Sequence, residues 1–84
     1  MNIYQIEVTD TFGGEPNYSW VKRYTVKASR MRGAISKLAR REGGGFRFNY
    51  GDCDQSRYNL RGAAVCAFVN WIDESEIDDS IPVI

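Results

Sequence analysis

With 84 residues, the chain can bury one hydrophobic core and not two. A hydrophobic fraction of 43% and a charged fraction of 26% are those of a folded globular domain and exclude disorder over most of the length. The sequence holds no histidine, which removes the commonest general base and metal ligand together.

Asn2 to about Val8 alternates, with Tyr4, Ile6 and Val8 on one side and Gln5 and Glu7 on the other, the pattern of a half-buried strand. Thr11 to Asn17 contains Gly13-Gly14 and Pro16 and reads as a hairpin connection. Tyr18 to about Lys27 is aromatic and β-branched and predicts a second strand. Lys22 shares the parity of Trp20, Tyr24 and Val26, so a bulge or a strand end is needed there. Ser29 is the expected N-cap of a helix to about Glu42, on which Met31, Ala34, Ile35, Leu38 and Ala39 form one apolar stripe. Gly43-Gly44-Gly45 ends it.

Phe46, Phe48 and Tyr50 then alternate with Arg47 and Asn49 as a third strand. Gly51 to Ser56 reads as a polar turn and Arg57 to Leu60 as a short strand. Ala63 to Trp71 is apolar on both parities, as in a central strand covered on both sides. The expected architecture is α+β, an antiparallel sheet of four to five strands with one helix packed on a face, in β-β-α-β-β order. It occupies a single domain over residues 1–72, followed by an acidic C-terminal tail over 73–84.

The chemistry this sequence supports is narrow, and no enzyme and no cofactor are expected. Two cysteines without histidine cannot supply four N or S ligands to a structural zinc ion. Cys53 lies between Asp52 and Asp54, whose charges disfavour a nucleophilic thiolate. The same triplet lacks the further oxygen ligands of a calcium loop. Gly43-Gly44-Gly45 follows a helix, whereas phosphate loops precede one. Reduced thiols are expected at Cys53 and Cys66, although a turn bringing them together leaves a disulfide open. No apolar run is long enough for a membrane span, and Met1 leads into a strand-like alternation. A cytoplasmic protein without a membrane partner is expected.

Charge is segregated along the chain. All eleven Lys and Arg lie between Lys22 and Arg61 against only Glu42, Asp52 and Asp54, a net of +8. Placed at about 100° per residue, Arg40, Gly33, Lys37, Arg30 and Arg41 fall opposite the Met31–Leu38 stripe. Arg30, Arg32, Lys37, Arg40 and Arg41 are therefore the expected partner-binding residues, because no acid intervenes to form the usual i,i+4 pairs. Arg30 and Arg32 also sit in the first turn, where the helix dipole disfavours cations. Gly33 reads either as a site of close partner approach or as tight packing. The acidic residues Asp73, Glu74, Glu76, Asp78 and Asp79 offer a second surface, which can mimic a phosphate backbone, fold onto the basic helix or simply confer solubility. Tyr18, Trp20, Phe46, Phe48, Tyr50 and Tyr58 divide between core and stacking platforms for bases.

The stretch from Ile6 to Val21, with its Gly13-Gly14-Glu15-Pro16 turn, followed by Arg23-Tyr24-Thr25-Val26 and Ala64-Val65-Cys66-Ala67-Phe68, resembles small uncharacterised phage and mobile-element proteins. Some proteins of that general kind are anti-CRISPR inhibitors, so the resemblance implies a stoichiometric inhibitor and supplies no site residues. The expected function is a small, phage-encoded binding protein that inhibits or modulates a host protein, or a protein–nucleic acid complex, in the host cytoplasm. Two alternatives stand beside it. One is a nucleic-acid-binding accessory protein using the same basic helix; the other is a virion or assembly component. A monomer or a homodimer fits all three.

Overall fold

The computed structural model describes all 84 residues. Two long strands, β1 (Asn2–Phe12) and β2 (Glu15–Ala28), lead into the helix α1 (Met31–Glu42). Three more follow: β3 (Phe46–Gly51), β4 (Gln55–Leu60) and β5 (Val65–Ile72). All neighbours are antiparallel, in the order β2-β1-β5-β4-β3. The architecture is α+β with a single helix on one face of a five-stranded sheet.

Residues directly opposite in an antiparallel pair share a face. Ile6 faces Tyr24 of β2 and Val69 of β5, and Val8 faces Ala67. These residues join Ala34, Ile35 and Leu38 of α1 in one buried cluster. The alternation in β1 thus faces the apolar stripe of the helix, and the predicted stripe is the one that packs. The central position expected for β5 also holds, since it lies between β1 and β4. Its second side is not covered by another layer. Cys66 is buried there, but Phe68 is only half-buried beneath the Arg57 guanidinium, 5.8 Å from the ring centroid.

Several expected boundaries move. The hairpin connection shrinks to Gly13 and Gly14, at φ 62° and 85°, a tight turn that only residues tolerant of positive φ close without strain. Pro16 falls inside β2 opposite Thr11, which an edge strand tolerates because one row of its N–H groups has no ladder partner. The ladder shifts register between Thr9 and Thr11, beyond Val21, so this bulge does not take Lys22 off the parity of Tyr24 and Val26. Lys22 itself stays on the helix side and reaches Glu42 at 3.4 Å.

The N-cap of α1 is Arg30, not Ser29. Its backbone is extended, Ala34 N–H donates to its carbonyl at 3.2 Å, and no side chain caps this end. At the other end Gly43 adopts φ 74°, and the N–H groups of Gly43 and Gly44 both donate to Ala39 O. The three glycines therefore begin with a left-handed helix stop. β4 starts two residues earlier than expected, at Gln55. The Asp52-Cys53-Asp54 triplet is the β3–β4 turn: the Asp52 carboxylate accepts from Asp54 N–H at 2.9 Å and Gln55 N–H at 3.0 Å. Both cysteines are free thiols, Cys53 exposed and Cys66 buried.

After β5, Asp73 caps a 3-10 turn over Glu74–Glu76, with the Asp73 and Glu76 side chains each bonding the other's backbone N–H. Ile81 is then only 8% exposed. Beyond it the chain runs along the outer edge of β2. Thr25 N–H donates to Pro82 O, and Ile84 N–H donates to Thr25 O, both at 2.9 Å. Val83 makes a parallel bridge to Thr25, and Ile84 packs on the core. This covers the β2 edge at Thr25.

Ile81→Ala removes a buried aliphatic group, so urea denaturation should show a loss of about 2 kcal/mol, the lower end for such truncations. An unchanged midpoint would mean that this segment does not hold the edge.

Candidate functional site

The helix places its five basic side chains in three environments. Lys37 turns back to β2, where its Nζ donates to the Lys27 carbonyl at 2.9 Å. Arg41 lies over the Tyr24 ring, 6.0 Å from its centroid. Gly33 faces β2 as well, since a methyl group there would meet Ala28 Cβ at 3.4 Å. Tight packing, not partner approach, is the reading of Gly33 that this geometry supports. The arc drawn opposite the apolar stripe is thus rolled partly onto β2. Arg30 and Arg40 remain exposed.

Arg32 occupies the other flank. With Ile35 and Ser36 it lines a cleft of about 590 Å³ whose far wall is Phe46, Phe48 and Tyr58. Phe48 and Tyr58 meet edge to face, with ring centroids 5.6 Å apart. Burial pushes the Tyr58 phenol up, and the positive charge of Arg32 pulls against that shift. The arc drawn from helical periodicity holds Arg30, Lys37, Arg40 and Arg41 but not Arg32, and the fold keeps Arg32 apart from them.

None of these five bases meets a carboxylate. The ion pairs of the molecule are Lys22–Glu42 at 3.4 Å and Arg23–Glu7 at 3.2 Å. The acidic surface does not fold onto the helix. Asp73 and Asp78 instead accept from Ser75 and Ser80, hydroxyl and N–H alike. Those bonds, the hydroxyl ones foremost, hold both carboxyls below their ordinary pKa. Glu76 accepts from Asp73 N–H at 3.0 Å, while Glu74 and Asp79 are exposed.

A second concavity, of about 460 Å³, lies near the β3–β4 turn, and Tyr18, Tyr50, Glu7 and Phe68 help to line it. Sequence reasoning missed how it is built. Tyr18 adopts φ 56°, a left-handed conformation that costs an L-residue roughly 1–2 kcal/mol. Asp10 supports it, accepting from Ser19 N–H at 2.9 Å, Ser19 Oγ at 2.6 Å and Asn17 Nδ2 at 2.9 Å. The nearest signal is the run of Asn17 and Ser19 around an aromatic residue shortly after Asp10, and it specifies no conformation without the bulge. Partial burial, followed by the charge of Glu7, raises the Tyr18 phenol above its ordinary pKa.

No helix is long and apolar enough to cross a membrane. No protein-family model matches the chain, and neither a curated protein nor a solved structure matches it significantly.

The Asp10 carboxyl is held well below the usual range, first by the Ser19 hydroxyl and then by Asn17. A depressed folded-state pKa stabilises the protein above the ordinary carboxylate value of about 4 and is lost as pH falls below it. Asp10→Ala should therefore lower Tm near neutral pH and flatten the fall in Tm on acidification below about pH 4. An acid branch identical to that of the unaltered protein would contradict the assignment.

Proposed function

We propose that the protein is a non-catalytic binding protein that acts by stoichiometric occupation of a partner's acidic surface through the exposed arginines of α1. The observation that carries this reading is the unpaired state of Arg30, Arg32 and Arg40. In a molecule with as many acids as bases, Glu42 and Glu7 pair with Lys22 and Arg23, and Asp10, Asp52, Asp73 and Asp78 accept bonds from other parts of their own loops and hairpin. Charge complementarity of this kind steers encounter and rejects wrong partners. The host-directed part of the reading, an inhibitor of a phage-encoded or anti-CRISPR type, rests on the sequence resemblance alone. It makes CRISPR nucleases and surveillance complexes the first partners to try.

A second reading, binding of single-stranded nucleic acid, is favoured by one feature of β3. Phe48 and Tyr50 are 54% and 55% exposed, and Arg47 lies between them and Phe46 in the sequence. Exposed rings beside guanidinium groups are the elements of a stacking platform. The net charge of zero counts against it.

The double reversal Arg30→Glu/Arg40→Glu separates these readings. Both side chains are exposed and make no ion pair, so Tm should stay within a few degrees. Capture of the host partner should fall at least tenfold. Retained capture would refute the arginine surface. A labelled oligonucleotide that binds tightly at low salt and weakens steeply with added salt would favour the second reading.

A further inference from the structure

The two edges of the sheet are treated differently. On β2 the chain's own Pro82–Ile84 segment takes up the free N–H and C=O of Thr25. On β3 nothing does. Arg61 N–H donates to Gly45 O at 3.0 Å, and Phe46, Arg47 and Phe48 stand opposite Leu60, Asn59 and Tyr58. Bonded and non-bonded pairs alternate along an antiparallel ladder. Arg47 and Asn59 are therefore a bonded pair, and the backbone groups of Phe46 and Phe48 point away from the sheet.

An open edge of this kind is a template for another strand, and soluble proteins ordinarily blunt it. The strand is short and carries the charge of Arg47, and the register shift between Phe48 and Tyr50 confines the usable edge to Phe46–Phe48. The side chains of these same two residues form a wall of the 590 Å³ cleft whose other rim carries Arg32. Arg47 and Arg61 lie at the same end of the hairpin, by a hollow lined by both. Neither these nor Arg32 meets a carboxylate.

We infer that the β3 edge binds a short extended peptide segment of a partner protein. The segment pairs with the backbone of Phe46 and Phe48, places an aliphatic side chain in the cleft and sets an acidic side chain against Arg32. Main-chain bonds supply affinity in this mode, and alternate side chains supply specificity. Charge selects the occupant: three unpaired guanidinium groups surround the edge, so an acidic strand fits and a basic one is repelled. The chain supplies a precedent in its own tail, where Asp78 and Asp79 precede the aliphatic segment that covers β2. This inference rests on the protein-binding reading above and names the element that would contact the partner.

The test uses the 84-residue chain, isotopically labelled, titrated with a capped hexapeptide in which Glu and Val occupy alternate positions between serines (Ser-Glu-Ser-Val-Ser-Glu), so that both side chains fall on the face of the cleft. Its controls are a Lys/Val peptide and two versions of the Glu/Val peptide N-methylated at alternate residues, one in each phase. The Glu/Val peptide should slow hydrogen exchange at the Phe46 and Phe48 amides. N-methylation in one phase should abolish binding, while the other phase leaves it intact. The Lys/Val peptide should bind at least tenfold more weakly, and Arg32→Ala should weaken the Glu/Val peptide by a similar factor. Peptide binding is read on the unaltered chain and partner capture on Arg30→Glu/Arg40→Glu, so failure of the edge and failure of the wider arginine surface are read separately. No protection at Phe46 and Phe48, or equal binding of both N-methylated peptides, would overturn the inference. Protection of those amides without peptide, together with a dimer by light scattering, would also overturn it by assigning the edge to a second copy.

Discussion

One seam fixes the molecule: Ala34, Ile35 and Leu38 of α1 against Ile6, Val8, Val26 and Val69 of the sheet, all buried. Strand side chains alternate with period two, so a slip of one residue would turn β1 inside out and expose the whole set. The helix is locked in roll by the same contact. A seam of this kind is worth a sizeable share of folding stability, since truncating one buried Leu costs about 2–5 kcal/mol out of the 5–15 typical of a domain. From that roll follow the positions of the helix's side chains relative to the sheet. Gly33, Lys37 and Arg41 turn to β2, while Arg32 and Ser36 overlook β3.

The charge segregation acquires a structural meaning once the turns are seen. Asp52, Asp73 and Asp78 each accept bonds from N–H or hydroxyl groups two or three residues along the chain, and Asp10 accepts from Asn17 and Ser19 across the hairpin. All four carboxyls are held below their ordinary pKa by those bonds. Acids in this chain serve local folding at loops, where short side chains close Asx turns. Long basic side chains instead stand on α1 and along the β3–β4 hairpin, out of reach of those acids. The surface left without compensation is therefore positive and adjoins the β3 edge of the sheet.

The sheet, the helix and its apolar stripe were legible because each rests on periodicity over many residues, as in Tyr4-Ile6-Val8 and Ala34-Ile35-Leu38. Positions set by single contacts were not. Ser29 looked like the better cap, yet the backbone turns at Arg30, and nothing local distinguishes the two. The left-handed Tyr18 depends on a bulge one strand away and on Asp10 across the hairpin. The Ile81–Ile84 segment was visibly apolar, but its pairing with Thr25 joins residues 58 positions apart in the ladder between Thr25 and Val83. The five bases of the helix were identified from composition and spacing. Their division between β2, solvent and the β3 cleft depends on how the helix lies on the sheet, which helical spacing alone does not specify.

The proposed binding surface is the arginine flank of α1 together with the adjoining β3 edge. Hydrogen–deuterium exchange of the intact chain, alone and saturated with a captured partner, tests it most directly. Slowed exchange concentrated in residues 30–41 and 46–48 is the predicted map. Slowing confined to residues 18–23 and 65–70, on the side of the sheet where Tyr18 and Phe68 lie, would contradict it.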